Sequence, residues 1–206
     1  MTGELQLRLL GGCDIQLDGA AVDTLSLNKA RALLAYLAVT AQPQTRAQLI
    51  DLLWTELPDA AARRNLRVVL TKLRQAIGDH LSASRTHVAL DPAQPQQVDA
   101  RTLAAAASLL PPPQTALTPA THAQLATAFA LYQGDFLDGL ETPNAPGFEE
   151  WRLLTRERLR QLAFQVGERL AHAYTAVDPA QAVAIYQRLL TIEPWQESVR
   201  RSLMTL

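Results

Sequence analysis

Arg64, Arg67, Val68, Thr71, Lys72, Arg74 and Gln75 share one side of the run AARRNLRVVLTKLRQAIG, whose apolar positions Leu66, Val69, Leu70, Leu73 and Ile77 keep helical spacing. A guanidinium can pair in bidentate fashion with guanine or grip a phosphate. An ammonium meets phosphate, and a valine or threonine methyl can touch the thymine methyl. The chemistry this face offers is recognition of a nucleic-acid duplex. A charged helix face is more often simply solvated, so the run needs a second element beside it to carry that reading.

That element precedes it. Thr45-Arg46-Ala47-Gln48 is a capping box opening a short helix, TRAQLIDLLW, which ends near Trp54 and is followed by a loop carrying Pro58. Asp59 is expected to cap the second helix and Gly78 to end it. Two helices joined by a short loop, the second longer and basic, form a helix-turn-helix candidate whose second helix is expected to enter the major groove. Arg64, Arg67, Val68 and Thr71 then fall to base edges. Lys72, Arg74 and Arg46 fall to phosphates, Arg46 together with the free amides at its helix start. Lys29 and Arg31 are expected to add backbone contacts. Behind the second helix, HLSASRTHVALDP has a turn-like Ser82-Ala83-Ser84 and a β-rich THVAL, a short hairpin or wing. Arg85 and His87 would sit on it, against a minor groove or a phosphate. For His87, an exposed strand histidine without a role is the stronger reading.

Composition bounds the rest. The formal charge of −1 over 206 residues does not mark a nucleic-acid binder, yet residues 26–90 hold nine Lys and Arg against four Asp and Glu. Residues 1–25 hold four acids and one Arg, so the basic charge collects on the helices that would face DNA. One cysteine, Cys13, leaves no internal disulfide and no Cys-rich zinc site. The histidines His80, His87, His122 and His172 are scattered without ligand spacing, and no phosphate-cradling loop appears. Gly11-Gly12 reads as a turn, and Glu149-Glu150 as favourable charge before a helix. No catalysis, metal or cofactor is therefore expected. Nothing resembles a signal peptide or a bilayer-spanning run, so a cytoplasmic protein without membrane contact is expected.

The elements that must position these residues follow from periodicity. LQLRLL, IQL and the stretch ending at Thr24 alternate like strands around Gly11-Gly12 and Asp18-Gly19, giving three or four short antiparallel strands. Residues 28–40, apolar nearly all round and closed off by Pro43, read as the core helix of the first domain. PAQPQQ reads as a connection. From Val98 onward the pattern is helical. It stops at Pro111-Pro112-Pro113 and a Pro-rich loop reaching Thr118, then resumes over 119–133, 147–176, 179–192 and from Trp195 to the end. GDFLDGL is a loop with apolar anchors Phe136, Leu137 and Leu140, and Trp54, Trp151 and Trp195 are expected in cores. Ala182, Tyr186, Leu189 and Pro194 match one tetratricopeptide unit. The long helix carries Arg152, Arg156, Arg158, Arg160 and Arg169. Docking on the winged helix and ordinary i,i+4 pairing both fit that pattern. The expected fold is mainly α with a small antiparallel β portion: a winged helix-turn-helix over 1–94, then an all-α, tetratricopeptide-like domain over 98–206.

LRLLGG, KARALLAYLAV, RAQLIDLLW, NLRVVLTKLRQAIG, the VDA step, LYQGDFLDGL and FEEWRLLTRERL together resemble the SARP/AfsR family of bacterial transcriptional activators. That family joins an OmpR-type winged helix to a bacterial transcriptional activator domain of tetratricopeptide-like hairpins, and the resemblance spans nearly the whole chain. It implies a cytoplasmic, nucleoid-associated activator that binds promoter direct repeats in double-stranded DNA, usually as a homodimer, and recruits RNA polymerase holoenzyme; a dimer and two monomers on a direct repeat would use the same recognition helix. Two departures stand out: Ser82-Ala83-Ser84 replaces the Gly-Tyr-type turn often found at the wing tip, and residues 111–118 are unusually Pro-rich. The near-neutral charge leaves an alternative open, a helical protein-interaction or ligand-sensing regulatory module whose winged helix is not used on DNA.

Overall fold

Leu5 and Leu7 are buried while Arg8 faces solvent, the alternation of a one-sided strand, β1 (Leu5–Arg8). The computed structural model in which this is seen describes residues 3–22, 25 and 27–205. β2 (Asp14–Leu17) returns antiparallel with Leu7 opposite Ile15, and β3 (Ala20–Ala21) follows. The turn between them holds Asp18 and Gly19 at φ 53° and 76°, the left-handed pair that a tight hairpin requires. Asp23 and Thr24, part of the expected further strand, lie outside the described residues. Helix α1 (Asn28–Thr40) is the core helix expected, with seven buried residues on its Ala/Leu surface.

β4 (Gln44–Thr45), α2 (Arg46–Trp54) and α3 (Asp59–Ile77) come next, then the hairpin of β5 (Leu81–Ala83) and β6 (His87–Leu90). β6 is the middle strand of a small sheet, flanked by β4 and β5. PAQPQQ is no slack connection. Its end forms β7 (Gln96–Val98), which lies parallel beside β1 with Leu5 opposite Gln96 and Leu7 opposite Val98, so the N-terminal sheet is mixed. A two-glutamine edge strand has no apolar alternation by which sequence could reveal it.

The remaining chain is helical: α4 (Asp99–Ala107), α5 (Pro119–Leu131), α6 (Pro146–Tyr174), α7 (Pro179–Ile192) and α8 (Glu197–Met204). Proline opens α5, α6 and α7, where its missing amide costs nothing. The side chains of Thr118 and Asp178 accept first-turn amides. Ala182, Tyr186 and Leu189 are buried between α6 and α7 as the repeat spacing demands. Gly167 lets the helices close, since a Cβ there would sit 2.6 Å from the Phe129 ring and 2.7 Å from a Leu189 methyl. Trp54 is buried, but Trp195, expected in a core, is 86% exposed just ahead of α8. Among the described residues no helix is long and apolar enough to cross a membrane.

The two portions meet through backbone and aromatic contacts. Gly11, Leu9 and Leu10 exchange backbone hydrogen bonds with the loop Gln133–Leu137, and Phe136 bridges to Leu10 and Gly12. Gly11-Gly12 is thus a docking step as well as a turn. Trp151 on α6 packs against Tyr36, Phe136 and Phe148. A Cβ on Gly147 would lie 3.4 Å from the Asp51 and Leu52 backbone, so the start of α6 runs tightly against α2. Three arginines of α6 form ion pairs within the helical portion: Arg152 with Glu149, Arg156 with Asp135 and Arg160 with Glu157 and Glu193.

Candidate nucleic-acid interface

The helix pair is built largely as its caps dictate. The Thr45 hydroxyl accepts the Gln48 amide at 3.2 Å, and the Gln48 side chain accepts the Thr45 amide at 2.9 Å. α3 begins differently from expectation. Pro58 occupies the cap position, and Asp59, already inside the first turn, turns its carboxylate to Arg63 at 2.9 Å instead of to a free amide. Hydrogen bonding to Asp59 raises the Arg63 guanidinium above its ordinary value. Gly78, at φ 53°, ends the helix with its amide on the Arg74 carbonyl.

Leu66, Val69, Leu70, Leu73 and Ile77 are buried beneath α3. Arg64, Arg67, Val68, Thr71, Arg74 and Gln75 are exposed, Val68 at 47%. The Thr71 hydroxyl donates to the Arg67 carbonyl at 2.9 Å, which satisfies its hydrogen within the helix. Lys72 is half-buried on the flank.

The wing is fastened to this pair from two sides. Thr45 of β4 pairs with His87 of β6, and the Arg46 amide and Nε donate to the Thr86 and Ser84 carbonyls, each at 3.0 Å. Its turn lies at Ser84–Thr86, two residues later than the Ser82-Ala83-Ser84 signal suggests. The Ser84 hydroxyl accepts the amides of Thr86 and His87 and donates to the His87 carbonyl. A serine side chain closes this tip where the related pattern uses glycine. Arg85 stands exposed at the apex, and the exposed His87 ring meets the Thr86 hydroxyl at 2.9 Å.

Five of the candidate residues converge. One groove between α2, α3 and the wing is lined by Arg46, Asp51, Asp59, Arg63, Arg67 and Arg85. Its continuation along α3 is lined by Arg46, Arg67, Thr71, Arg74, Gln75 and Ala83. Arg63 escaped the sequence reading, although its i,i+4 spacing to both Asp59 and Arg67 was the available signal. Arg64, Val68 and Lys72 lie on α3 outside both grooves.

Lys29 and Arg31 are not brought to this face. The Lys29 ammonium donates to the carbonyls of Leu53 at 2.7 Å and Asn144 at 3.2 Å and lies over the Trp54 ring. Burial holds it below the ordinary lysine range. Arg31 donates to the Cys13 carbonyl. The physical reason is that α1 is packed on all sides: its first-turn cations reach neighbouring backbone before they reach solvent.

The fold is a winged helix whose long basic helix and wing share one groove, joined to paired helices. Residues 98–206 match the family described as the bacterial transcriptional activator domain, over half of the chain, and the chain belongs to that family as a regulator of the SARP/AfsR type. The structure is similar to that of Mycobacterium tuberculosis EmbR in complex with a low affinity phosphopeptide, at 19% identity and a TM-score of 0.50. The likeness covers 98% of this chain and 64% of that one, and it bears on the fold. No curated protein sequence matches the chain.

Proposed function

We propose that the chain is a sequence-specific activator that places α3 in the major groove of promoter direct repeats. Arg64, Arg67, Val68 and Thr71 address bases, and Arg46, Lys72 and Arg74 address phosphates. The wing, with Arg85 and His87, addresses the adjacent minor groove. The carrying observation is that Arg46, Arg67 and Arg85, from three separate elements, line a single groove. A cationic surface assembled from separate elements is what a phosphate backbone selects. Lys29 and Arg31 drop out of the interface. Binding as a homodimer and recruitment of RNA polymerase holoenzyme belong to this reading as the family's mode of action.

The test is selection of binding sites from a randomised duplex library with the 206-residue chain, followed by a salt series on the enriched site. A repeated motif spaced by about one helical turn, with a salt slope of roughly −4, is expected. No enrichment at low salt would turn the reading to a regulatory module whose winged helix does not grip DNA.

A further inference from the structure

Away from the α3 groove, the Pro-rich loop 111–118, the start of α5 and the last turns of α6 line an open surface groove of about 530 Å³, within the size range of small-ligand sites. It is apolar at Leu117 and aromatic at Tyr174, which the His122 ring meets edge-on at 4.7 Å, and Val177 stands at its rim, 83% exposed. Arg169 and His172 complete it, and no aspartate or glutamate lines it. The contrast within α6 is informative. Arg152, Arg156 and Arg160 each hold a carboxylate. Arg169, half-buried, gives one hydrogen to the Thr115 carbonyl and pairs with no carboxylate among the described residues, while its Nε lacks a hydrogen-bond partner as do those of Arg156 and Arg160. A guanidinium drawn partly out of water in an acid-free, two-histidine pocket is short of an anion.

We infer that this pocket binds a small organic monocarboxylate with an apolar body of aromatic-ring size, its carboxylate on Arg169 and its body against Leu117, Tyr174 and Val177. The occupant joins the Pro-rich loop to α6, so it acts on the helical portion.

The probe is 1-naphthoate, titrated calorimetrically into the 206-residue chain, with 1-naphthamide as the uncharged isostere. One-to-one binding with a Kd of about 0.1–1 mM is expected, at least about tenfold tighter than the amide, with a similar loss in Arg169→Gln. Methyl NMR should show ring-current shifts at Leu117 and Val177. Equal affinity for acid and amide, no saturation by about 10 mM, or shifts confined to other methyls would overturn the proposal. Should Arg169→Gln fail to fold, the acid and amide pair on the unaltered chain decides. None of these readouts involves DNA, so failure here is distinguishable from failure of the DNA reading.

Discussion

The Trp151 indole meets the Tyr36 ring edge-on with centroids 4.9 Å apart, one side chain from α6 and the other from α1. Phe136 and Phe148 close the same cluster, so the winged helix and the helical portion share an aromatic core across their junction. Such shared burial couples their unfolding. The unaltered chain should give one urea transition by both far- and near-ultraviolet circular dichroism. Trp151→Ala should cost about 3 kcal/mol. Two separated transitions in the unaltered chain, or a cost under about 1 kcal/mol, would show that the portions are stabilised independently.

Asp99 fastens the same junction from the sheet side. Its carboxylate accepts the amides of Leu9 and Leu10 at 2.7 and 2.9 Å and that of Ala100 at 2.6 Å. Burial nevertheless outweighs these bonds and raises its pKa above the usual carboxylate value. A folded value above the unfolded one means that protonation favours the fold. That contribution is complete below the unfolded value of about 3.9 and is lost as pH rises through the folded value. The stability gap between the unaltered chain and Asp99→Asn should therefore widen on going from pH 7 toward pH 4 in paired urea titrations. A gap that narrows on acidification would mean that the three amides dominate over desolvation.

Most of the architecture was legible because it is periodic. The α3 stripe from Leu66 to Ile77, the Thr45 capping box and the core helix Asn28–Thr40 stand where spacing and caps put them, and the wing hairpin forms where expected with its turn shifted to Ser84–Thr86. The misses have physical causes. β7 is a glutamine edge strand defined by its neighbour β1. Residue type alone does not place Asp59 or Trp195: one position along a helix start decides whether a carboxylate caps or pairs, and Trp195 stands exposed ahead of α8. Of the site, the α3 residues were readable from one helix. That Lys29 and Arg31 face inward depends on Leu53, Asn144 and Cys13, distant partners that no local pattern encodes.

Gly11 offers a test of the backbone step between the portions. It sits at φ 105°, and a Cβ there would fall 3.0 Å from the Gln133 carbonyl carbon, while its amide donates to Asp135 at 3.0 Å. Gly11→Ala should cost more than about 1 kcal/mol through strain and crowding together. Gly12→Ala, where a Cβ meets nothing within 4 Å, should cost less by thermal denaturation. Equal losses would indicate that backbone conformation alone governs this step.

For the DNA reading, the geometry separates three cations by their surroundings. Arg67 lines both stretches of the groove, Lys72 is half-buried outside them, and Lys29 is spent on two carbonyls. Arg67→Ala should weaken binding to the selected site by about 1–3 kcal/mol and relax base preference at one position. Lys72→Ala should weaken all sequences alike and lower the salt slope by about one. Lys29→Ala should leave the salt slope unchanged and lower thermal stability, because it uncovers carbonyls at the junction and removes no phosphate contact. Fluorescence anisotropy on specific and scrambled duplexes over a salt series reads all three. Uniform weakening by Arg67→Ala would reassign it to the backbone, and a reduced slope in Lys29→Ala would place α1 at the DNA after all.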